Sequence, residues 1–162
     1  MNQQAAQGTS VIVISFLVAM LLAVFPLPLW AAVARPEWVA LVLIYWVVAL
    51  PQRVGVLVAA AVGLVLDILE GAVLGQNGLS LAVVAFLSLI LYQRVRVFNL
   101  WQQAGVVFIL LVLNQVLAQW IQTITGSGAR NLWFLFPALV GALLWPGVMG
   151  ILRYLRRQYR VS

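Results

Sequence analysis

Two carboxylates, Asp67 and Glu70, are the side chains of this sequence that are best placed to carry chemistry. They lie in the apolar stretch GLVLDILEG, Gly63–Gly71, although the chain of 162 residues has only three acidic residues in all. A buried carboxylate either relays a proton or a substrate, or forms a hydrogen bond that fixes the packing of its helix. We expect Glu70, one turn further along and nearer the helix end, to be solvated.

Catalysis or cofactor binding would require groups that the sequence lacks. The chain contains no His and no Cys, and all nine of its basic residues are Arg. These absences exclude imidazole bases, thiolate nucleophiles, the usual zinc ligands and a Walker-type phosphate loop. We therefore predict a protein that is not an enzyme, with no catalytic residues, no cofactor and no metal site.

Steps of four residues place Asp67 on a line of small side chains. Successive members advance by only ~40° around a helix, so they form a slowly winding stripe. Such stripes let two membrane helices approach closely, and we predict that Asp67 faces a neighbouring segment while the last two glycines shape a turn. The members are Gly55, Ala59, Gly63, Asp67, Gly71 and Gly75.

The hydrogen-bond donor that meets Asp67 stays open between four candidates. They are Arg35, Arg130, a backbone amide of the glycine-rich turn Gly71–Gly78, and a Gln of the apolar segment Leu100–Ile124. Pro36 is suited to the first turn of the helix that follows it. We predict a set of structural or partner-interface residues consisting of Asp67, Gly63, Gly71, Gly75, Arg35 and Pro36.

A second line of polar side chains lies in the segment Leu100–Ile124. Gln115, Gln119 and Gln122 recur at helical spacing, with Asn114 beside them. Uncharged amides on one face of a membrane helix more often join helices than bind a ligand. The alternative is a polar cavity that accepts a small solute.

The C-terminal sequence RYLRRQYR is basic. Its Arg residues alternate with Tyr and Leu, a pattern that predicts contact with anionic lipid headgroups, and a cytoplasmic protein partner is the alternative. The residues concerned are Arg153, Arg156, Arg157 and Arg160.

Composition indicates the elements that position these groups. The chain is 65% hydrophobic and 7% charged, whereas soluble domains are roughly half apolar and about a quarter charged. We predict an all-α membrane protein, one polytopic domain over residues 1–162, with about six transmembrane helices. Pro137 and Pro146 are expected to break the sixth. The predicted spans are Val11–Ala34, Trp38–Leu50, Val54–Glu70, Leu79–Gln93, Leu100–Ile124 and Leu132–Leu152.

The second predicted span is short. Trp38–Leu50 would be ~20 Å long at 1.5 Å per residue, which is less than the ~30 Å hydrocarbon core. Five spans with a re-entrant or interfacial segment is therefore the alternative topology.

Charge asymmetry orients the predicted bundle. With six spans and a cytoplasmic N-terminus, seven Arg residues lie inside and two, Arg35 and Arg130, lie outside. This bias agrees with the positive-inside rule. It accounts for the net charge of +6 without a nucleic-acid partner. We predict a short cytoplasmic N-terminus, residues 1–10, and a basic cytoplasmic tail, residues 153–162.

Four motifs in this order resemble a known family. They are RPEWVALVLIYWVVALPQRVG at Arg35–Gly55, GLVLDILEGAVLG at Gly63–Gly75, LWQQ at Leu100–Gln103 and FPALVGALLWP at Phe136–Pro146. Together they resemble the MreD family of rod shape-determining proteins of Gram-negative bacteria, over nearly the whole chain from Arg35 onward.

The resemblance implies more than composition does. It implies an inner-membrane protein of the cell-elongation complex for peptidoglycan synthesis, without catalytic activity. Its implied partners are MreC, a bitopic protein with a periplasmic domain, and through it the MreB filament, the glycosyltransferase RodA and its penicillin-binding transpeptidase. It also implies a fold similar to the substrate-binding subunits of energy-coupling-factor vitamin transporters.

Two hypotheses of function follow. The first is a membrane scaffold that holds the transmembrane helix of MreC, with Asp67 ordering the glycine-rich turn. The second is a small-solute binding or transport subunit, suggested by the intramembrane acid, the glutamine line and the expected break in the sixth helix.

Overall fold

The computed structural model describes residues 2–25, 28, 37–71, 74–124, 126 and 136–159. Within these ranges it has six α-helices and no β-strand, so the predicted all-α architecture is confirmed. The helices are α1 (Asn2–Val24), α2 (Trp38–Ala49), α3 (Val56–Glu70), α4 (Gln76–Val97), α5 (Leu100–Ile124) and α6 (Phe136–Gln158).

Three of the six helices, α4, α5 and α6, are long and apolar enough to cross a membrane. The apolar part of α1, Gly8–Val24, and the whole of α2 are shorter. Full spanning by α1, α2 and α3 therefore remains a prediction, whereas the membrane character of the chain is supported by the three long helices.

The short helix α2 forms the centre of the bundle. It packs against α1, α4, α5 and α6, and every residue from Val39 to Val47 is buried. A helix without a polar face has no side to turn towards water, and such helices are found in protein interiors. Its indole at Trp46 is fully enclosed and donates a hydrogen bond to Ser15 Oγ of α1 at 2.8 Å.

Helix boundaries differ from the predicted ones chiefly in α1, α4 and α6. The first helix begins at Asn2 rather than at Val11, because the Gln and Ala residues of the N-terminal stretch favour helix; it ends at Val24, before Pro26. Helix α4 begins at Gln76 and continues through Arg94 and Arg96 to Val97. Residues 2–10 and 153–158, predicted as a separate N-terminus and tail, are thus helical.

The predicted break in the sixth helix is wrong. Helix α6 runs without interruption through Pro146. Pro137 is its second residue, where the missing N–H has no partner within the helix in any case. Proline inside membrane helices is tolerated because neighbouring groups and local adjustments satisfy the freed backbone atoms.

The described acidic and basic residues lie at opposite ends of the bundle. Short turns join α2 to α3 and α4 to α5 at one end, and α3 to α4 at the other. All described Arg residues belong to the first, which we name the basic end: Arg53, Arg94, Arg96, Arg153, Arg156 and Arg157. The carboxylates Glu37, Asp67 and Glu70 belong to the second, the acidic end. Arg35, Pro36, Arg130 and Arg160 lie outside the described residues.

Candidate functional site

Asp67 is a buried carboxylate that binds the start of the next helix. Only 1% of the residue is exposed. Its Oδ2 accepts hydrogen bonds from the backbone N–H of Gly75 at 2.9 Å and of Gly78 at 3.4 Å. Its Oδ1 accepts one from the N–H of Asn77 at 2.9 Å. Among the candidate donors that the structure describes, the backbone amides of the turn therefore meet Asp67; Arg35 and Arg130 lie outside the described residues.

These amides are the groups that a helix start leaves unpaired. The first N–H groups of a helix have no partner within it, and together they carry partial positive charge. The residue that precedes α4, Gly75, has no side chain with which to cap them and lies at a φ of 96°. Asp67 supplies the missing acceptor from the preceding helix, so α3 caps α4.

The small residues of the stripe allow this contact. A methyl group at Gly63 would lie 2.5 Å from the carbonyl oxygen of Asn77 and 2.5 Å from the Cα of Gly78. Helices α3 and α4 therefore touch backbone to backbone at this point. Gly71 ends α3 with a left-handed φ of 67°. The face that contains Gly63 and Asp67 is packed within the chain.

Glu70 differs from Asp67 in its surroundings. It is exposed, and its Oε2 accepts a hydrogen bond from Asn77 Nδ2 at 3.1 Å. Both acids thus contact the same turn, but only Asp67 is enclosed by it.

A polar cavity of about 280 Å³ lies at the acidic end, and all six helices contribute to its lining. The three predicted glutamines of α5 line the cavity together with the carboxylates Glu37 and Glu70. Its polar lining consists of Glu37, Glu70, Gln76, Asn77, Asn114, Gln115, Gln119 and Gln122. Both predicted roles of these amides, joining helices and binding a small solute, stay predictions.

Glu37 is the residue of this cavity that sequence reasoning missed. It precedes α2, outside the helical segments, and its Oε2 accepts a hydrogen bond from Asn114 Nδ2 at 3.0 Å. Burial raises the pKa of Glu37 from 4.5 to about 8, which the hydrogen bonds from Asn114 and Gln115 oppose and the nearby charge of Glu70 reinforces. The signal available in the sequence was an acid beside a tryptophan, directly before a fully apolar helix.

Asn114 has an acceptor that no described residue uses. Its Oδ1 is buried and has no hydrogen-bond partner among the described residues. Buried polar atoms are almost always paired in folded proteins. This oxygen, on the wall of the polar cavity, can accept a hydrogen bond from a molecule bound there.

A second cavity, of about 360 Å³, lies at the basic end. Arg96 is held at its rim, because Nε and Nη2 donate to the carbonyl oxygens of Val48 at 2.8 Å and Ala49 at 2.9 Å. These carbonyls end α2 and carry partial negative charge. We name this the basic cavity; among its lining residues are Tyr45, Arg96, Gln103, Trp145, Arg153 and Arg156.

Gln103, in the wall of the basic cavity, joins three helices. Its Nε2 donates to the carbonyl oxygens of Val95 at 2.9 Å and Phe98 at 3.2 Å, and its Oε1 accepts a hydrogen bond from Trp145 Nε1 at 3.3 Å. It thereby fixes the position of α5 against α4 and α6. Of the predicted basic residues, Arg153 and Arg156 line the cavity, and Arg157 is exposed on the same turn of α6.

The described residues at the two ends form no recognisable metal site. Within the described residues, no group of three His, Cys, Asp or Glu side chains is arranged to hold a metal ion. What the two ends offer is hydrogen bonding by amides and carboxylates at one, and by guanidinium groups at the other.

Comparison with known proteins identifies the family. The family model for rod shape-determining protein MreD matches residues 4–155. The chain belongs to the MreD family. It is 29% identical over 150 residues to the rod shape-determining protein MreD of Haemophilus influenzae, and the match covers 90% of each chain. No solved structure matches it.

The resemblance stated from the four motifs is therefore confirmed. Membership of this family supports a role in rod shape determination, and with the three long apolar helices it supports a membrane protein. The family is described by its role in cell shape rather than by a reaction. The expected similarity to vitamin-transporter subunits stays a prediction.

Proposed function

We propose that this protein is a non-catalytic scaffold of the cell-elongation complex in the bacterial inner membrane. In this role it binds the transmembrane helix of MreC. Through MreC it is linked to MreB, to RodA and to the penicillin-binding transpeptidase. The observation that carries the proposal is membership of the MreD family along residues 4–155.

The proposed orientation has both termini in the cytoplasm. It is supported by the Arg residues, because all six that the structure describes belong to one end of the bundle. Excess Arg and Lys mark cytoplasmic loops of membrane proteins. Helix α1 begins and α6 ends at this basic end, and the acidic end then faces the periplasm.

The surface that we assign to MreC is an apolar groove between α1 and α6. The small-residue stripe, predicted as a structural or partner-interface surface, is not free at Gly63 and Asp67, because α4 packs against both. The groove has a volume of about 600 Å³, and its α1 wall includes the small side chains of Ser10, Ser15 and Ala19. Small side chains allow close helix approach in membranes, so one apolar helix suits this groove.

Photo-crosslinking in cells that co-express MreC tests this assignment. A photoreactive amino acid replaces Ile14, Val18 or Ile151 in the groove, and Leu57 or Ile90 on exposed faces of α3 and α4 as controls. We expect crosslinks to MreC from the groove positions alone. If the control positions crosslink equally well, or if no position does while the complex still co-purifies, the groove is not the binding surface.

A second candidate function is the binding of a small polar solute in the polar cavity. The observation that favours it is the buried Asn114 Oδ1, which has no partner among the described residues. At about 280 Å³, the cavity lies near the lower limit of ligand pockets, which occupy ~300–1,000 Å³. A solute with a hydrogen-bond donor would complete the site.

Native mass spectrometry of the purified protein tests this second function. A non-lipid mass that co-purifies with the protein and is lost in Asn114→Ala, but is kept in the exposed Asn99→Ala, would support it. A protein that carries no such mass, and that none of a panel of neutral and cationic solutes stabilises against heat, would exclude it.

A further inference from the structure

We propose that the basic cavity is a binding site for a phosphate-bearing anion, held by Arg153, Arg156 and the Tyr45 hydroxyl, with Arg96 at its rim. The site is independent of MreC binding and of the polar cavity. The proposed site differs from the lipid contact predicted for the C-terminal sequence, because it also includes residues of α2 and α4. These residues are distant from the C-terminal sequence along the chain but line the same cavity.

The charge of the cavity calls for an anion. Three guanidinium groups, those of Arg96, Arg153 and Arg156, line a space of about 360 Å³. The chain has only three side-chain carboxylates, and all of them belong to the acidic end. No Asp or Glu of this sequence can therefore neutralise the three arginines.

Tyr45 supplies the second, independent observation. The residue is 4% exposed, and its hydroxyl is buried without a hydrogen-bond partner among the described residues. Its ring packs against Trp46 and Trp145 with centroid distances of 5.3 Å and 6.5 Å, and the residue lines the basic cavity. A phosphate oxygen in the cavity would give the hydroxyl the acceptor that it otherwise lacks.

Arg96 is oriented before any ligand arrives. Its hydrogen bonds to the carbonyl oxygens of Val48 and Ala49 use two of the five N–H donors of the guanidinium group. The guanidinium carbon of Arg96 lies over the ring of Tyr92, 5.0 Å from the ring centroid. An arginine fixed in this way loses little freedom on binding, and its fork of donors matches the geometry of phosphate oxygens.

Two sources carry the same chemistry. One is the headgroup of an anionic phospholipid, reached from the membrane surface at the basic end. The other is free phosphate or a soluble phosphate ester. Both present negatively charged phosphate oxygens to the same three arginines and the tyrosine.

Binding is measured on the full chain, purified in a neutral detergent, at constant ionic strength. One arm titrates inorganic phosphate against matched chloride, and the other titrates phosphatidylglycerol against phosphatidylcholine. Bound lipid is counted by native mass spectrometry, and the shift in Tm is recorded in both arms. Saturation by inorganic phosphate identifies the soluble source, and saturation by phosphatidylglycerol alone identifies the lipid; both support the site.

Matched variants separate the cavity from the general charge of the basic end. Tyr45→Phe removes only the hydroxyl, and we expect it to weaken binding about tenfold to a hundredfold, the range for one hydrogen bond to a charged group. Arg153→Gln with Arg156→Gln should abolish saturable binding. The control pair, Arg94→Gln with Arg157→Gln, removes the same charge from exposed positions outside the cavity and should weaken binding much less than the cavity pair does, while leaving it saturable.

The proposal is overturned by any of three results. They are equal losses in the cavity pair and the control pair, unchanged affinity in Tyr45→Phe, and failure of both probes to saturate. The Tm of each variant without ligand is measured first. Because Tyr45→Phe keeps the packed ring and the replaced arginines lie at the protein surface or half-buried, folding is retained and each result bears on binding.

Discussion

The carboxylate of Asp67 accepts a hydrogen bond of 2.9 Å from the backbone N–H of Gly75, so the last turn of α3 caps the first turn of α4. Caps are usually supplied by the residue at the helix start itself. Here that residue is a glycine, and the acceptor comes from eight residues earlier. The α3–α4 hairpin is therefore one structural unit that depends on a single buried side chain.

Replacing Asp67 by Leu should destabilise the protein more than any other single change at this turn. The two close N–H groups, of Gly75 and Asn77, would lose their acceptor, and each buried unpaired group costs about 1–3 kcal/mol. Asp67→Asn keeps one oxygen and should cost roughly half as much. Thermal unfolding in detergent measures both variants.

Glu70→Gln is the matched control for Asp67. The residue is exposed and keeps an oxygen to accept from Asn77, so its unfolding temperature should hardly change. Rod shape and co-purification with MreC are then scored in a strain that carries each variant. If Asp67→Leu preserves stability, rod shape and the complex, the capped turn is not essential to the scaffold.

A methyl group at Gly63 should separate α3 from α4. It would lie 2.5 Å from backbone atoms of Asn77 and Gly78, and backbone atoms cannot rotate away as a side chain can. We expect Gly63→Ala to lower the unfolding temperature and to weaken the Asp67 cap. At Gly105, in the exposed part of α5, a methyl group would meet nothing within 4 Å, and Gly105→Ala should be neutral or stabilising by up to ~1 kcal/mol. If both substitutions changed the unfolding temperature equally, the contact between α3 and α4 at Gly63 would have room for a methyl group.

Much of this fold could be predicted from local sequence signals. Helix α5 has the predicted bounds, Leu100–Ile124, because polar residues and turns interrupt the apolar sequence on both sides. The turn after Glu70 was marked by glycines, and two of them adopt the left-handed backbone that favours glycine. The amide spacing on α5 also pointed to one shared surface, since Gln115, Gln119 and Gln122 line one cavity.

The contacts that complete each site could not be predicted in the same way. Glu37 and Asn114 are 77 residues apart, and Arg96 reaches Val48 over 48 residues. These pairs depend on how the helices are arranged around α2, and apolar helices without a polar face carry no signal of that arrangement. At Pro146 the local sequence signal was misleading. Proline usually breaks a helix, but here the residues on both sides continue the helix through it.

Glu37 should make the stability of the protein depend on pH. Its pKa is about 8 in the folded protein, above the ordinary 4.5, so the folded state keeps a proton that the unfolded chain releases between these values. Stability is therefore full at or below about pH 4.5 and decreases as the pH rises through about 8. The sequence has no His, Cys or Lys, so few other side chains titrate in this window.

Glu37→Gln is the control for that titration. It keeps the size of the side chain and an oxygen for Asn114, but it has no charge to acquire. We expect the unfolding temperature of the native protein to fall between about pH 5 and pH 9 and that of the variant to stay nearly constant. Parallel curves for the two proteins would assign the pH dependence to another group.

The hydrogen bond between Trp46 and Ser15 should hold α1 against the central helix. Trp46 is fully buried, and its Nε1 donates to Ser15 Oγ at 2.8 Å. Ser15→Ala leaves this N–H without an acceptor, which costs about 1–3 kcal/mol.

Ser88→Ala is the matched control, since that hydroxyl donates to Val84 of its own helix. A double-mutant cycle with Trp46→Phe should give a coupling of ~0.6–1.7 kcal/mol, the range for hydrogen bonds between membrane helices. A coupling of zero would mean that apolar packing alone holds α1 in place, and the walls of the α1–α6 groove would then not depend on this pair.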